Sequence, residues 1–217
     1  MRLHGKPILA AGCSALLLTL VIAVFWYQDW QYSLPTPRPE ALKQPALGMV
    51  MSVAEVLPGG AKFDPSRPLL LHFFNPGCPC SRFNLDHIRE LTRTYGDRVN
   101  IVAVLEEDST DNLIDGFRRT GLPIEAVVDS NRTLATAVGV YSTPQAVILD
   151  PRGTLLYRGN YNSSRYCVDR RTEYARVALD ALLAHRPQPA LEPAAFIAYG
   201  CPLPKAQAGA LIARAEP

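Results

Sequence analysis

The chain has 217 residues, 48% hydrophobic and 19% charged, enough for one ordinary core with room for further segments. Its net charge of +2 and its scattered basic residues leave no electrostatic footprint for a nucleic-acid backbone, so nucleic acid is excluded as a partner. The five cysteines, Cys13, Cys78, Cys80, Cys167 and Cys201, are too few and too unevenly spaced for a disulfide scaffold, and an odd number leaves at least one thiol unpaired.

The chain opens on an anchor. No charged residue occurs from Pro7 to Tyr27, and a nearly continuous apolar stretch of about 20 residues matches the hydrocarbon thickness of a bilayer. Trp26, Tyr27, Trp30 and Tyr32 crowd its far end as interfacial aromatics do, with Arg2 and Lys6 before the stretch and Asp29 after it. These features predict a cytoplasmic N-terminus (1–7), an uncleaved single-pass transmembrane helix (8–27) and a main domain on the periplasmic, extracytoplasmic side of the inner membrane. There thiol exchange is a natural chemistry. No small-residue cleavage site follows the apolar stretch, which argues against a removed signal peptide. Cys13 reads as an ordinary membrane-helix residue.

Prolines at 35, 37, 39 and 45 mark residues 28–66 as an extended linker with an N-terminal extension. Residues 69–74 form a short apolar run between Pro68 and Pro76, which predicts a buried strand. Helical spacing of Phe83, Leu85, Ile88, Leu91 and Tyr95 follows up to Gly96, then strand-like residues 100–105 and a helix over 112–119. Alternating strands and helices imply a parallel α/β unit. A short strand at 127–129, a helix at 132–138, and two strands around Pro151-Arg152-Gly153 continue the domain, and an amphipathic helix over 172–185 completes it. Beyond the domain (67–186), a Pro/Ala-rich stretch reads as an appended tail (187–217). Glu106, Glu107 and Asp108 read as a solvated acidic loop. His72 reads as a packed strand residue, and neither it nor His87 is placed as a general base.

Cys78 follows a strand and opens a helix, where unpaired backbone N–H groups and the helix dipole favour an anion. Pro79 suits the first helical turn, and a thiol of lowered pKa is a nucleophile for disulfide exchange. Cys78 is therefore the expected nucleophile, with Cys80 as the second catalytic candidate.

The order strand, Cys-Pro turn, helix, then Tyr141-Ser142-Thr143-Pro144-Gln145, then a hairpin through Asp150-Pro151-Arg152-Gly153 resembles the thioredoxin-like superfamily, in its membrane-anchored, redoxin-like branch of thiol–disulfide oxidoreductases. The resemblance implies an α/β thioredoxin-like fold, a central mixed sheet flanked by helices. It also implies a cis peptide bond at Pro144, which with Thr143 would shape the substrate groove. The usual Cys-x-x-Cys is replaced by Cys78-Pro79-Cys80-Ser81, with Ser81 where the resolving cysteine belongs. A Cys78–Cys80 disulfide would close a small ring, strained and readily reduced. Cys167 or Cys201 are the other candidates, as resolving or as structural cysteines, and Cys201 lies on a tail that could fold back.

The expected activity is exchange with disulfides of proteins or small thiols, supported by a redox partner that the sequence does not name, with no bound cofactor and no metal. Alternative readings are a thiol peroxidase of the peroxiredoxin type, disfavoured by Asn75 at the usual threonine position, a Cu(I)-binding metallochaperone using soft thiolates, and a thioredoxin-fold binding module without turnover.

Overall fold

Helix α1 (Gly5–Ser33) runs uninterrupted for 29 residues. Its stretch Leu9–Gln28 is long and apolar enough to cross a membrane by length and composition. Leu16, Leu17, Leu18 and Leu20 are all exposed, so apolar side chains cover consecutive positions of the helix rather than one stripe. The Thr19 hydroxyl donates back to the Ala15 carbonyl (2.9 Å), which removes the cost of an unpaired polar group in an apolar setting. Trp26 and Trp30 stack at 5.6 Å near its end. The chain divides into two units after Leu34. The computed structural model describes residues 5–52, 57, 63–106, 113–163 and 169–203.

The second unit holds seven strands among its described residues: β1 (Leu69–Phe74), β2 (Asn100–Glu106), β3 (Glu125–Asp129), β4 (Ser142–Thr143), β5 (Gln145–Leu149), β6 (Leu155–Gly159) and β7 (Cys201–Pro202). Five of them form one sheet in the order β3-β2-β1-β5-β6, and β4 and β7 form a separate pair. β1, β2 and β3 are parallel, whereas β5 runs antiparallel to β1 and β6 antiparallel to β5, so the main sheet is mixed. All six residues of β1 are buried, because helices cover both faces; five of them are apolar, and the sixth, His72, is held by the Tyr161 hydroxyl. On one face Leu70, Phe74, Ile101 and Ile148 pack against helices α3 (Leu85–Tyr95) and α6 (Tyr174–Leu183). On the other, Leu71, Phe73, Val104 and Val147 pack against α5 (Thr133–Val138). α2 (Pro79–Phe83) runs into α3 through Asn84, and α4 (Leu113–Arg118) precedes β3. This is the thioredoxin-like fold that the motif order implied.

Two segments differ from their expectation. The Pro-rich stretch is no free spacer, since between Thr36 and Met51 it lies on the domain. Gly48 N–H donates to the Leu155 carbonyl, Leu155 N–H to Met49 and Met51 N–H to Gly153, each at 2.8 Å. β6 is an edge strand whose unpaired groups invite such pairing. Arg158 donates to the Pro45 carbonyl (2.8 Å) and Gln44 to that of Gly139 (2.6 Å).

The Pro/Ala-rich stretch is likewise part of the domain as far as Leu203. Ala195 and Ala198 are fully buried, and Asn160 donates from its side chain to the carbonyls of Ala194 (2.7 Å) and Ile197. The Tyr157 hydroxyl donates to Ala195 (3.1 Å). Gly159 makes the approach possible, because a β-carbon there would collide with the Ala195 carbonyl oxygen. Small side chains that look featureless in a sequence are what this close packing requires.

Candidate active site

The turn after β1 is pinned by its own polar groups. The Asn75 side chain accepts from Gly77 N–H (2.8 Å), Cys78 N–H donates to the Asn75 carbonyl (3.0 Å), and Asn75 N–H donates to the Ser81 hydroxyl (3.3 Å). Cys78 is the N-cap of α2 in extended conformation, with Pro79 in the first helical turn. Ser81, the residue at the position of the missing resolving cysteine, is fully buried and serves this turn.

Cys78 is bonded to Cys201, 123 residues further along, with Cα atoms 6.1 Å apart. Cys80 is buried and lies outside that bond. Cys167 lies outside the described residues. The partner of Cys78 is thus the distal cysteine on the folded-back tail, one of the alternatives that the sequence leaves open.

The Thr143–Pro144 peptide bond is cis, and the Thr143 carbonyl oxygen stands 3.6 Å from Cys78 Sγ. β4 pairs antiparallel with β7, Thr143 opposite Cys201 and Ser142 opposite Pro202. Cys78, Thr143, Pro144 and Cys201 therefore meet at one place, the C-terminal end of β1. Beside them the buried Ser142 Oγ, Thr143 Oγ1 and Gln145 Oε1 find no hydrogen-bond partner among the described residues, an unusual cluster for a satisfied interior.

Several residues that place the tail escape sequence reasoning. Thr36 donates from its N–H to the Ala198 carbonyl (2.8 Å) and from its hydroxyl to that of Gly200 (3.0 Å). Leu203 N–H donates to the Tyr141 carbonyl (3.0 Å), and Ala198 N–H to the Tyr141 hydroxyl (3.4 Å). Gly200 alone carries a signal, a glycine directly before a cysteine and a proline. Its φ is +144°, and a β-carbon would collide with the Thr143 carbonyl oxygen.

The buried titratable groups are set by packing. His72 is fully buried, with Nδ1 2.8 Å from the Tyr161 hydroxyl, and burial, then the charge of His87, pushes its pKa down to about 3. It is the packed histidine that its strand position suggested. His87 is also lowered, chiefly by burial, with Glu173 (4.0 Å away) opposing. His87, Glu90 and Glu173 converge closely enough to suggest a cation site. Arg176 already supplies positive charge there, contacting both Glu90 (3.1 Å) and Glu173. We read this group as an ion-pair network.

Glu106 departs from its expected solvated loop. It ends β2 opposite Asp129, fully buried, and burial, then Asp129, raises its pKa to about 8 against the opposing charge of Arg132. Glu107 and Asp108 lie outside the described residues. Asp129 serves a turn, accepting from Leu134 N–H (3.2 Å) and Ala135 N–H (2.8 Å) at the start of α5.

Comparison with known proteins bears on this geometry. The chain is 31% identical over 90 residues to a protein of Rhizobium leguminosarum bv. viciae named thiol:disulfide interchange protein CycY, covering 41% of this chain and 47% of that protein. It is 28% identical over 102 residues to a Vibrio cholerae protein named thiol:disulfide interchange protein DsbE, covering 46% and 54%. The chain thus spans about half the length of the curated relatives it matches. Among solved structures, a hypothetical protein of Sinorhizobium meliloti superposes with a TM-score of 0.61 at 21% identity, covering 74% of this chain and 95% of that one, a likeness of fold. A family model described as a domain of unknown function (DUF6436) matches residues 53–202, from before β1 to the strand that carries Cys201. With both bonded cysteines and the cis-proline strand inside the matched span, the chain belongs to that family, on a thioredoxin-like scaffold.

Proposed function

We propose that this chain is a membrane-anchored thiol–disulfide oxidoreductase in which Cys78 is the exchanging sulfur and Cys201 its resolving partner. The observation that carries the reading is the Cys78–Cys201 disulfide beside the Thr143–Pro144 bond. Two relatives named as thiol:disulfide interchange proteins support it.

In the reducing direction both cysteines begin as thiols. Cys78 loses its proton, and its thiolate attacks one sulfur of a substrate disulfide, forming a mixed disulfide and releasing the other sulfur as a thiolate. Cys78 caps the amino end of α2, where unpaired N–H groups favour the anion. The Cys201 thiolate then attacks Cys78 Sγ, the Cys78–Cys201 bond forms, and the second substrate sulfur leaves. Two electrons pass to the substrate, and the two protons lost by the cysteines reappear on its thiols. Run backward, the same steps oxidise a substrate dithiol. Thr143 and Pro144 line the place where substrate meets Cys78. Cys80, directly after Pro79, is buried in α2 and takes no part in these steps. The span in α1 holds the domain at the inner membrane on its periplasmic side, where a separate redox protein resets the pair.

The test is a full-length chain purified in detergent. Disulfide mapping by mass spectrometry should recover a Cys78–Cys201 cross-linked peptide in the oxidised protein, and Cys201→Ser should accumulate mixed disulfides through Cys78. A Cys78–Cys80 bond, or a Cys78→Ser variant that still turns over disulfides, would sink the reading.

A further inference from the structure

The bond between Cys78 and Cys201 also seats a strand. β7 lies antiparallel on β4 with Cys201 opposite Thr143, the Thr36 hydroxyl holds the Gly200 carbonyl, and Leu203 N–H is fixed on Tyr141. With β7 in place Cys78 is only 2% exposed. The backbone groups of Ser142 and Thr143 beside the reactive sulfur are thus engaged by the chain itself, and no second strand can pair with them while β7 is there.

The fit is specific. Gly200 sits at φ +144°, a conformation that side chains rarely adopt, and any β-carbon would strike the Thr143 carbonyl oxygen. The residue before the cysteine on this strand must therefore be glycine. Upstream, residues 194–198 are tied to Asn160, Tyr157 and Thr36 independently of the disulfide. If β7 lifts, its cysteine remains on a short leash at high effective concentration.

We infer that residues 200–203 are a resident stand-in for the substrate, and that β7 and an extended polypeptide segment carrying a Gly-Cys pair are alternative occupants of the β4 edge. This rests on the exchange reading above and deepens it to a substrate class: polypeptide cysteines presented on a strand, preceded by glycine, rather than small disulfides. Strand exchange and disulfide exchange become one event. When the Cys201 thiolate attacks Cys78 Sγ, the substrate sulfur leaves as a thiolate while β7 takes the edge that the substrate strand vacates. Resolution and product release are coupled without a further component.

The test uses the full-length Cys201→Ser protein in detergent, which keeps Cys78 reactive and cannot resolve. Two synthetic peptides are offered, one with the sequence of residues 198–203 and one with alanine in place of its glycine. In both, the cysteine is carried as a mixed disulfide with the chromogenic thiol 2-nitro-5-thiobenzoate. Attack of Cys78 on the peptide sulfur forms the protein–peptide disulfide and releases the chromophore. The glycine peptide should react at least about tenfold faster, the ratio produced by a difference of about 1.4 kcal/mol in barrier. Adding Gly200→Ala to Cys201→Ser should accelerate capture of the glycine peptide further by unseating β7, with an unchanged circular dichroism spectrum separating release from unfolding. If that double variant unfolds, the two-peptide comparison in Cys201→Ser still decides. Equal rates for the two peptides, or no acceleration in a folded double variant, overturn the inference and leave Cys78 exchange standing. Failure of both peptides while the parent small chromogenic disulfide reacts also overturns it. Failure of all three removes the exchange reading itself.

Discussion

Cys78 and Cys201 stand 123 residues apart in the chain and 6.1 Å apart between Cα atoms, bonded across the end of the strand that begins at Ser142. The pairing assigns the second sulfur to a segment that returns from beyond the last helix. It separates this protein from a chain whose two sulfurs share one turn, because Cys80 is left buried in α2 outside the bond.

Cys80→Ser should therefore leave the Cys78–Cys201 disulfide intact, whereas Cys201→Ser should abolish resolution and leave capture through Cys78 in place. Non-reducing peptide mapping and single-turnover release of a substrate thiol check both. Loss of the bond in Cys80→Ser would return Cys80 to the redox pair.

Reducing the bond should also cost stability. A disulfide closing a loop of this length stabilises by about 3–5 kcal/mol through the unfolded chain. Urea unfolding of the oxidised protein against the Cys201→Ser variant should show a clear drop in midpoint, and coincident midpoints would contradict the pairing.

Asn160→Ala removes the side chain that donates to the Ala194 and Ile197 carbonyls beneath the returning segment. Leaving buried acceptors unpaired costs about 1–3 kcal/mol, so the tail should lift more readily. The rate of Cys78–Cys201 bond formation after reduction should fall several-fold, with Cys78 still reactive toward a small disulfide. An unaltered closing rate would show that other contacts place the tail.

The buried ionisable groups make stability depend on pH in opposite senses. The Glu106 carboxyl, raised from 4.5 to about 8, is neutral in the fold where the unfolded chain would ionise it. Its contribution is complete below about pH 4.5 and is lost as pH rises toward 8. Glu106→Gln keeps the neutral shape and should stabilise the protein at pH 8 by on the order of a few kcal/mol. His72, lowered from 6.5 to about 3, acts the other way: its contribution is present above pH 6.5 and is lost as pH falls toward 3. Denaturation midpoints across this range, wild type against Glu106→Gln, should converge at acidic pH and separate at alkaline pH; parallel curves would contradict the assignment.

Removing residues 5–28 should move the protein from the membrane to the soluble fraction, since the apolar stretch lies within that segment. Membrane association persisting without it would place the anchor elsewhere.

Much of the scaffold is legible in the amino-acid order because local rules are enough. The run at 69–74 forms β1 at the expected residues, and the 172–185 helix forms α6 (Tyr174–Leu183), trimmed where Arg170–Thr172 makes a 3-10 turn instead. Glu106 defeats such rules because three acidic residues in a row look solvated. Its burial follows from the parallel pairing with β3, which sets it opposite Asp129. The two Pro-rich segments defeat them for a related reason. Proline and alanine composition describes what a chain cannot form by itself, and says little about which edge or crevice an extended segment can cover.

The apolar span, the order of strands and helices, and the place of Cys78 at a strand-to-helix junction all follow from residues within a few positions of one another, so the amino-acid order alone dictates them. Which sulfur Cys78 meets is settled only once the chain has folded. That choice depends on Thr36, Tyr141, Asn160 and Gly200, scattered along the chain, whose hydrogen bonds and close backbone approach bring Cys201 to β4. Contacts of that kind leave no periodicity to read, since their partners become neighbours only in the tertiary structure.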